Sequence, residues 1–160
     1  MTIRPLTRER DSSGRKKRIY LATSWRNPHY EPTLAALGAL HHVYDFKNNK
    51  TAFSWKTLLA GEGGKTQYPV SAVEQALRAN EARAAWYADY SHLINADACV
   101  LLLPAGNSAH MEAGLAGGQK KPVLLYVPQE VRALEPDLMW RTWLPFIRTM
   151  PELLARLEDL

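Results

Sequence analysis

The sequence predicts an α/β domain in which a parallel β-sheet is covered by helices on both faces. Two apolar runs, residues 98–103 and 122–127, have the length and composition of strands that are buried on both sides. Segments with helical spacing separate these runs from each other and from a shorter apolar run at residues 19–22. Strands that alternate with helices are typical of βαβ units, and such units build parallel sheets with right-handed crossovers.

The individual elements follow from the spacing of apolar residues and from the turn residues between them. The predicted strands are residues 19–22, 43–45, 98–103, 122–127 and a short one near Phe146 and Ile147. The predicted helices are residues 31–41, residues 71–96 with a break near Asn80, residues 109–120 and residues 152–160. Five strands suit the doubly wound order 2-1-3-4-5 of flavodoxin-like and Rossmann-like sheets.

The 160 residues fit one domain with enough length for a hydrophobic core. Seven basic and two acidic side chains fall within residues 1–18, whereas the rest of the chain carries thirteen basic and fourteen acidic ones. Residues 1–17 show no apolar periodicity, so we expect a mobile basic leader before a single domain at residues 18–160. A solvated tail is favoured over one that touches phosphate or RNA, and nucleic acid is therefore not an expected partner.

Composition also bears on the compartment. No apolar run approaches the roughly 20 residues of a membrane span, and the N-terminal residues lack the apolar segment of a secretory signal. We therefore expect a cytoplasmic protein with no membrane partner. The one cysteine, Cys99, lacks an internal disulfide partner and is expected to be buried and inert within the apolar run 98–103.

Residues 46–69 are the least regular part of the predicted domain. This segment contains three glycines and the aromatic residues Phe46, Phe53, Trp55 and Tyr68. Long loops in compact domains are usually functional or mobile. Two roles are equally open for the aromatic side chains: a lid or pocket wall on which a flat ligand such as a nucleobase stacks, or a seal over the sheet edge.

Ligands of doubly wound sheets bind beyond the carboxyl ends of the strands, where the strand order reverses. This rule selects residues 23–30 after the first strand and residues 104–108 after the third. If Asn107 or Ser108 caps the following helix, Glu112 lies in or just after its first turn, near the ligand position. The residues after Glu112 are mostly small and allow a close approach. The alternative is that Glu112 only complements the positive end of the helix dipole.

Asp89 is the second candidate carboxylate. It lies three residues after Trp86 and four before Leu93, so on a helix it falls in an otherwise apolar stripe, where a carboxylate needs a partner or a function. Tyr20, inside the first strand, carries a phenol that either orients a carboxylate or packs in the core. Asp97, just before the third strand, is expected to be a capping or turn residue.

Three residues of the loop after the first strand are candidates for binding a substrate. Ser24, Trp25 and Arg26 directly follow the strand and its turn. A guanidinium in this place either binds a phosphate or a sugar hydroxyl, or belongs to an ordinary surface arginine. Both interpretations of Arg26 remain open.

Other chemistries lack their sequence signatures. No Gly-x-Gly-x-x-Gly motif or Walker-type loop follows the first strand, and no Ser-centred nucleophile elbow is present. The five histidines contain no His-x-x-x-His pair, so we expect no metal and no cofactor. His110 is close to Glu112, but side chains two residues apart on a helix point in different directions.

Four segments match a known family. They are Ile19-Tyr20-Leu21-Ala22-Thr23-Ser24-Trp25, Trp86-Tyr87-Ala88-Asp89, Ala96-Asp97 with the apolar strand behind it, and Ser108-Ala109-His110-Met111-Glu112-Ala113-Gly114. Through them the chain resembles the nucleoside 2-deoxyribosyltransferase family, including its relatives that hydrolyse the N-glycosidic bond of nucleoside 5′-monophosphates. The last segment is the most specific, because it looks like the family's small-x-x-x-Glu-x-Gly signature. The likeness spans about residues 18–127.

The resemblance implies catalytic roles for three residues. Glu112 would be the nucleophile that attacks the anomeric carbon and forms a glycosyl-enzyme intermediate. Tyr20 would hold that carboxylate in place, and Asp89 would contact the sugar or help to move a proton. Another base, or water, would then take the sugar, as in retaining glycosidases.

The resemblance also implies binding residues and partners. Gly106, Asn107 and Ser108 would face a 5′-hydroxyl or 5′-phosphate at the helix N-terminus, which is a natural anion site. Members of the family are commonly homo-oligomers in which a neighbour completes the site. The expected partners are therefore a nucleoside or nucleotide substrate and further copies of this chain, as a dimer or a larger assembly.

The turn at residues 105–108 is short and uncharged, whereas the transferases usually carry another acidic residue there. This difference favours the phosphate-binding, hydrolytic relatives. The sequence thus predicts cleavage of the N-glycosidic bond of a nucleoside or nucleoside 5′-monophosphate, with transfer of the (deoxy)ribosyl group to another base or to water. The alternatives are a non-catalytic nucleotide-sensing module that uses the same pocket and an NAD-cleaving signalling domain.

Overall fold

A computed structural model describes residues 15–49, 55–59 and 67–160 of the protein. The strands are β1 (Arg18–Ala22), β2 (His42–Val43), β3 (Ala98–Leu102) and β4 (Val123–Tyr126). The helices are α1 (Tyr30–Leu40), α2 (Trp55–Leu58), α3 (Val70–Arg78), α4 (Asn80–Asn95), α5 (Asn107–Gly118) and α6 (Met150–Glu158), with 3-10 helices at Phe46–Asn48 and Leu138–Trp143. Most of the predicted leader, together with Phe53 and the glycines of the irregular loop, lies outside the described residues.

The four strands form one parallel sheet in the order β2-β1-β3-β4. The strand order reverses between β1 and β3, because β1 leads to β2 on one side and β3 leads to β4 on the other. This arrangement confirms the predicted α/β class with a parallel sheet. It also places the loops after β1 and β3 side by side at the carboxyl edge of the sheet.

The prediction of a fifth strand is wrong for the described residues. Only Ile147 pairs with the edge of β4, where its N–H donates to Leu125 O at 2.9 Å and its carbonyl accepts from Val127 N at 2.8 Å. Pro145, two residues earlier, has no N–H to offer a ladder. Thr149, two residues later, already caps α6 through its side chain. The segment therefore has room for a single bridge, and the sheet has four strands.

The predicted second strand is also displaced. It was expected at residues 43–45, but β2 is His42–Val43 and ends before Tyr44. Asp45 caps the next 3-10 helix by accepting a hydrogen bond from Lys47 N, and this turns the chain away from the sheet. Tyr44 consequently lies just past the carboxyl end of β2.

Apolar side chains from both faces of the sheet form the core. Ile19 and Leu21 pack on the face covered by α1 and α6, whereas Tyr20 and Ala22 pack on the face covered by α4 and α5. This alternation is the period of two that a strand imposes. Cys99 is fully buried in β3, as predicted, and burial raises the pKa of its thiol. No helix within the described residues is long and apolar enough to cross a membrane.

The described part of the irregular loop helps to close the β2 side of the sheet. The Phe46 ring lies 5.2 Å from the Trp25 ring and 4.9 Å from the Tyr30 ring, measured between centroids. Phe46 therefore packs against the loop after β1 and against α1, a contact that fits either of the two roles expected for these aromatic residues. The break predicted near Asn80 is present at Ala79, between α3 and α4.

Candidate active site

Three elements bring the predicted catalytic residues together on one face of the sheet. Tyr20 comes from β1, Asp89 from α4 and Glu112 from α5. The charges of Glu112 and Asp89 both act on the Tyr20 phenol, and the charge of Asp89 also acts on Glu112. Tyr20 is 3% exposed and the two acidic residues are partly buried. The result is a compact cluster of two carboxylates and a phenol.

The helix that carries Glu112 begins earlier than predicted. The helix was expected at residues 109–120 with a cap from Asn107 or Ser108, but α5 starts at Asn107 and its N-cap is Gly106, with no side chain capping it. Glu112 is thus the sixth helical residue rather than one of the first turn. Because the dipole effect fades beyond the first turn, the helix-start explanation loses its basis.

The two carboxyl groups share an unusual electrostatic environment. Burial, and after it the charge of Asp89, raise the pKa of Glu112 to about 7, and an opposing effect of Tyr20 is included in that value. Burial also raises the pKa of Asp89. Neighbouring carboxylates do not ionise independently, so the pair titrates as a unit and keeps a proton into the neutral range. Such a pair can supply one carboxylate and one carboxylic acid to a reaction.

Two residues of the cluster were missed in the sequence. The Tyr44 hydroxyl donates to Asp89 Oδ1 at 2.9 Å, and its ring stacks on His92 with centroids 3.7 Å apart and planes at 11°. The side-chain amide of Asn49 donates to the Tyr44 hydroxyl. For His92 a signal was available, because it lies one helical turn after Asp89, whereas Tyr44 was assigned to the predicted strand at residues 43–45.

A surface groove of about 470 Å³ runs along the β2 edge of the sheet. Its lining includes Arg18, Asn95, Tyr44 and His92. Neither carboxylate of the pair lines this groove. The groove therefore adjoins the cluster only through Tyr44 and His92.

Buried polar side chains join the two loops at the carboxyl edge of the sheet. Asn27 is 5% exposed, and its Nδ2 donates to Thr23 Oγ1 at 2.9 Å, to Pro104 O at 3.0 Å and to Leu102 O at 3.3 Å. The Thr23 hydroxyl donates to Leu102 O at 2.9 Å. These bonds fix the loop after β1 against the loop after β3. Sequence reasoning did not single out Asn27.

We expect Asn27→Ala to lower the free energy of unfolding by about 1–3 kcal/mol, because Pro104 O and Leu102 O each lose a donor at a buried position. Urea denaturation followed by circular dichroism measures the change. Asn95→Ala removes the same side chain from the exposed end of α4 and should cost less than about 0.5 kcal/mol. Equal stability of the two variants would contradict the joining role of Asn27.

The predicted substrate-binding residues lie in these two loops. Trp25 is 55% exposed, Arg26 is exposed, and the Arg26 N–H donates to Ser24 Oγ at 3.3 Å. Gly106, Asn107 and Ser108 are exposed at the start of α5. Since Asn27 ties the loops together, both groups of residues stand at the same edge of the sheet.

Two polar residues near the cluster are occupied elsewhere. His110 is bonded through Nδ1 to Gly106 O at 2.9 Å, and its Nε2 accepts from Trp140 Nε1 at 2.9 Å, so it points away from Glu112 as expected. Asp97 accepts from the backbone N–H of Arg18 at 2.7 Å and from its guanidinium at 2.9 Å, which is a structural role. In the described ranges, no group of three or more His, Cys, Asp or Glu side chains is arranged to hold a metal.

No protein-family model and no curated protein sequence matches the chain. A solved structure of the 2-deoxyribosyltransferase from the psychrotolerant bacterium Bacillus psychrosaccharolyticus matches with a TM-score of 0.51, over 84% of this chain and 88% of that one. The chain has the fold of a 2-deoxyribosyltransferase. The family resemblance seen in the sequence is thereby confirmed for the fold.

The identity between the two chains is 18%. At this level the likeness establishes the deoxyribosyltransferase fold and leaves the chemistry to the residues themselves. That enzyme is described as a biocatalyst for the synthesis of antiviral and antitumoral nucleosides. In this chain the same fold carries Tyr20, Asp89 and Glu112 on the face of the sheet covered by α4 and α5.

Proposed function

We propose that the protein cleaves the N-glycosidic bond of a nucleoside or nucleoside 5′-monophosphate. The observation that carries this proposal is the partly buried Glu112 carboxyl group, which interacts with Tyr20 and with the charge of Asp89. A buried carboxylate with a pKa of about 7 is ionised in much of the protein at neutral pH, yet it is poorly solvated. Both properties favour attack on an electrophilic carbon.

In the proposed reaction, a Glu112 oxygen attacks C1′ of the sugar and forms an ester as the C–N bond breaks. The electron pair of that bond passes to the base, and Asp89 donates a proton to the departing nitrogen. A second base or a water molecule then attacks C1′, the ester bond breaks, and Glu112 is released as a carboxylate. Asp89 recovers a proton from the attacking group. The transition states resemble an oxocarbenium ion, which the neighbouring carboxylate stabilises.

The start of α5 supports binding of the 5′ end of the substrate. The first backbone N–H groups of a helix lack internal partners, and no side chain caps them here. Gly106, Asn107 and Ser108 present these groups to solvent at the edge of the sheet. A hydroxyl or phosphate group fits such a place, and phosphate gains more from the helix dipole.

We expect Arg26→Ala to raise the KM for a nucleoside 5′-monophosphate by about tenfold, because a guanidinium in the loop after β1 pairs with phosphate. The KM for the matching nucleoside should stay unchanged. Arg78→Ala, on the exposed surface of α3, is the control and should affect neither substrate. An equal change for both substrates would show that Arg26 does not recognise the phosphate.

The uncharged turn at residues 105–108 favours water over a second base as the acceptor. Incubation with a panel of nucleosides and monophosphates, with and without a second base, tests the proposed function through chromatography of the free base. Release of base from at least one member is expected, with little formation of an exchanged nucleoside. Binding without release would indicate the sensing module, and release of nicotinamide from NAD alone would indicate the NAD-cleaving domain.

The remaining expectations are carried forward as predictions. They are a homo-oligomer, a cytoplasmic location and a reaction that needs neither a cofactor nor a metal. Light scattering after size-exclusion chromatography tests the first of them.

A further inference from the structure

We propose that Tyr44 is a positioning residue for this reaction, which holds Asp89 Oδ1 and thereby leaves Oδ2 to carry the proton for the leaving base. The inference rests on the proposed function, in which Asp89 is the proton donor. It concerns a residue outside the three that the family resemblance implies. Tyr44 is placed just past the end of β2, where its hydroxyl reaches α4 across the face of the sheet.

Contacts on several sides fix the orientation of the Tyr44 ring. It stacks on His92 at a centroid distance of 3.7 Å and lies near the Tyr20 ring at 6.1 Å. His92 is in turn anchored to α4, because its Nδ1 lies 2.7 Å from Ala88 O. The ring therefore has little freedom to turn its hydroxyl away from Asp89.

The direction of the Tyr44 hydrogen follows from its partners. The Asn49 amide donates to the hydroxyl oxygen, which leaves the hydroxyl hydrogen for Asp89 Oδ1 at 2.9 Å. Burial, together with the nearby Asp89, raises the pKa of Tyr44, so the phenol keeps its hydrogen over the working range of pH. Oδ1 is then an acceptor throughout, and a proton on the Asp89 carboxyl group sits on Oδ2.

The same hydrogen bond sets the ionisation of Asp89. The groups that face Asp89 are Tyr44 after β2, His92 on its own helix, Glu112 on α5 and Tyr20 on β1. Burial raises the pKa of Asp89, whereas the Tyr44 bond and a charged His92 lower it. Removal of the Tyr44 hydroxyl therefore makes the carboxyl pair take up its first proton at a higher pH.

Tyr44→Phe tests the inference, with Tyr87→Phe as the matched control. Tyr87 lies on the same helix as Asp89, but its side chain is 65% exposed. In Tyr44→Phe we expect kcat to fall about tenfold with KM unchanged, since the hydrogen bond that orients the proton donor is lost. The alkaline limb of the kcat/KM profile, where the pair loses its proton, should move to higher pH by about half a unit or more. Tyr87→Phe should match the unmodified protein in all three quantities.

A second measurement does not depend on turnover. Titration of the Asp89 carboxyl carbon by NMR should give a higher apparent pKa in Tyr44→Phe than in Tyr87→Phe. A fall in kcat without a shift of the alkaline limb or of the titration would overturn the positioning role, and so would unchanged kinetics. If the unmodified protein releases no base from any substrate, the proposed function fails, while the titration still decides whether Tyr44 controls Asp89.

Discussion

Glu112→Gln is expected to reduce the release of base by about 10⁴-fold or more, because the amide cannot form the ester with C1′. The glutamine keeps the size and shape of the glutamate side chain, so the fold should persist. Chromatography of the free base at saturating substrate measures the loss. Glu158→Gln, at the end of α6 beside Lys17, makes the same change at the opposite end of the sheet and should retain full activity.

The same variant has an expected effect on stability that depends on pH. The pKa of Glu112 is raised from an ordinary 4.5 to about 7, so the folded protein binds a proton that the unfolded chain has lost between these values. The stability that this bound proton gives to the folded state is fully present below pH 4.5 and disappears as the pH rises through about 7. A neutral glutamine avoids the buried charge altogether.

At pH 8 the free energy of unfolding of Glu112→Gln should therefore be about 2 kcal/mol higher than that of the unmodified protein. The pKa shift alone would give a larger difference, but the partial exposure of Glu112 reduces it. Near pH 4 the two proteins should have equal stability. Urea denaturation at both pH values measures the difference. Retained turnover in this variant would remove Glu112 from the mechanism, and equal stability at pH 8 would show that its carboxylate is well solvated.

Asp89→Asn is expected to slow the release of a natural base by about 10²–10³-fold, because no carboxyl proton remains for the departing nitrogen. It also removes the acid whose loss of a proton slows the reaction at high pH, so the fall of the rate above neutral pH should disappear. Steady-state rates from pH 5 to 9 measure both effects. Asp159→Asn, in the exposed cap of α6, is the control and should change neither.

A leaving group that needs no proton separates the two possible roles of Asp89. With a 4-nitrophenyl deoxyriboside, the loss in Asp89→Asn should shrink to less than about tenfold, since acid catalysis matters little for a weakly basic leaving group. An equally large loss with both substrates would mean that Asp89 binds the sugar rather than donating the proton.

Local patterns account for the parts of the fold that the sequence predicted. The run at residues 98–103 is apolar throughout because β3 is buried on both faces, and every residue of β3 is indeed buried. The prediction of a fifth strand was wrong because Pro145 and the cap at Thr149 limit the extended segment between them. Only Ile147 in that segment pairs with β4. The shift of β2 has the same kind of cause, since Asp45 caps a turn that apolar spacing does not reveal.

Some residues of the candidate site were predicted from the sequence, and others were missed. The rule for parallel sheets, together with the family resemblance, selected Tyr20, Asp89 and Glu112, and the fold places them in one cluster. Tyr44 was missed because its bond to Asp89 joins positions 45 residues apart in the chain. Asn27 was missed for the same reason, since Pro104 O lies 77 residues away. Contacts of this kind depend on the tertiary packing, and one sequence carries no direct mark of them.

The configuration of a trapped product tests the role of Glu112 most directly. In a reaction run with methanol as an added acceptor, the anomeric configuration of the methyl glycoside can be read by proton NMR. Attack by Glu112 followed by attack of methanol inverts C1′ twice, so a β-nucleoside should give the methyl β-glycoside. Formation of the methyl α-glycoside would mean a single direct displacement and would contradict a glycosyl-enzyme intermediate on Glu112.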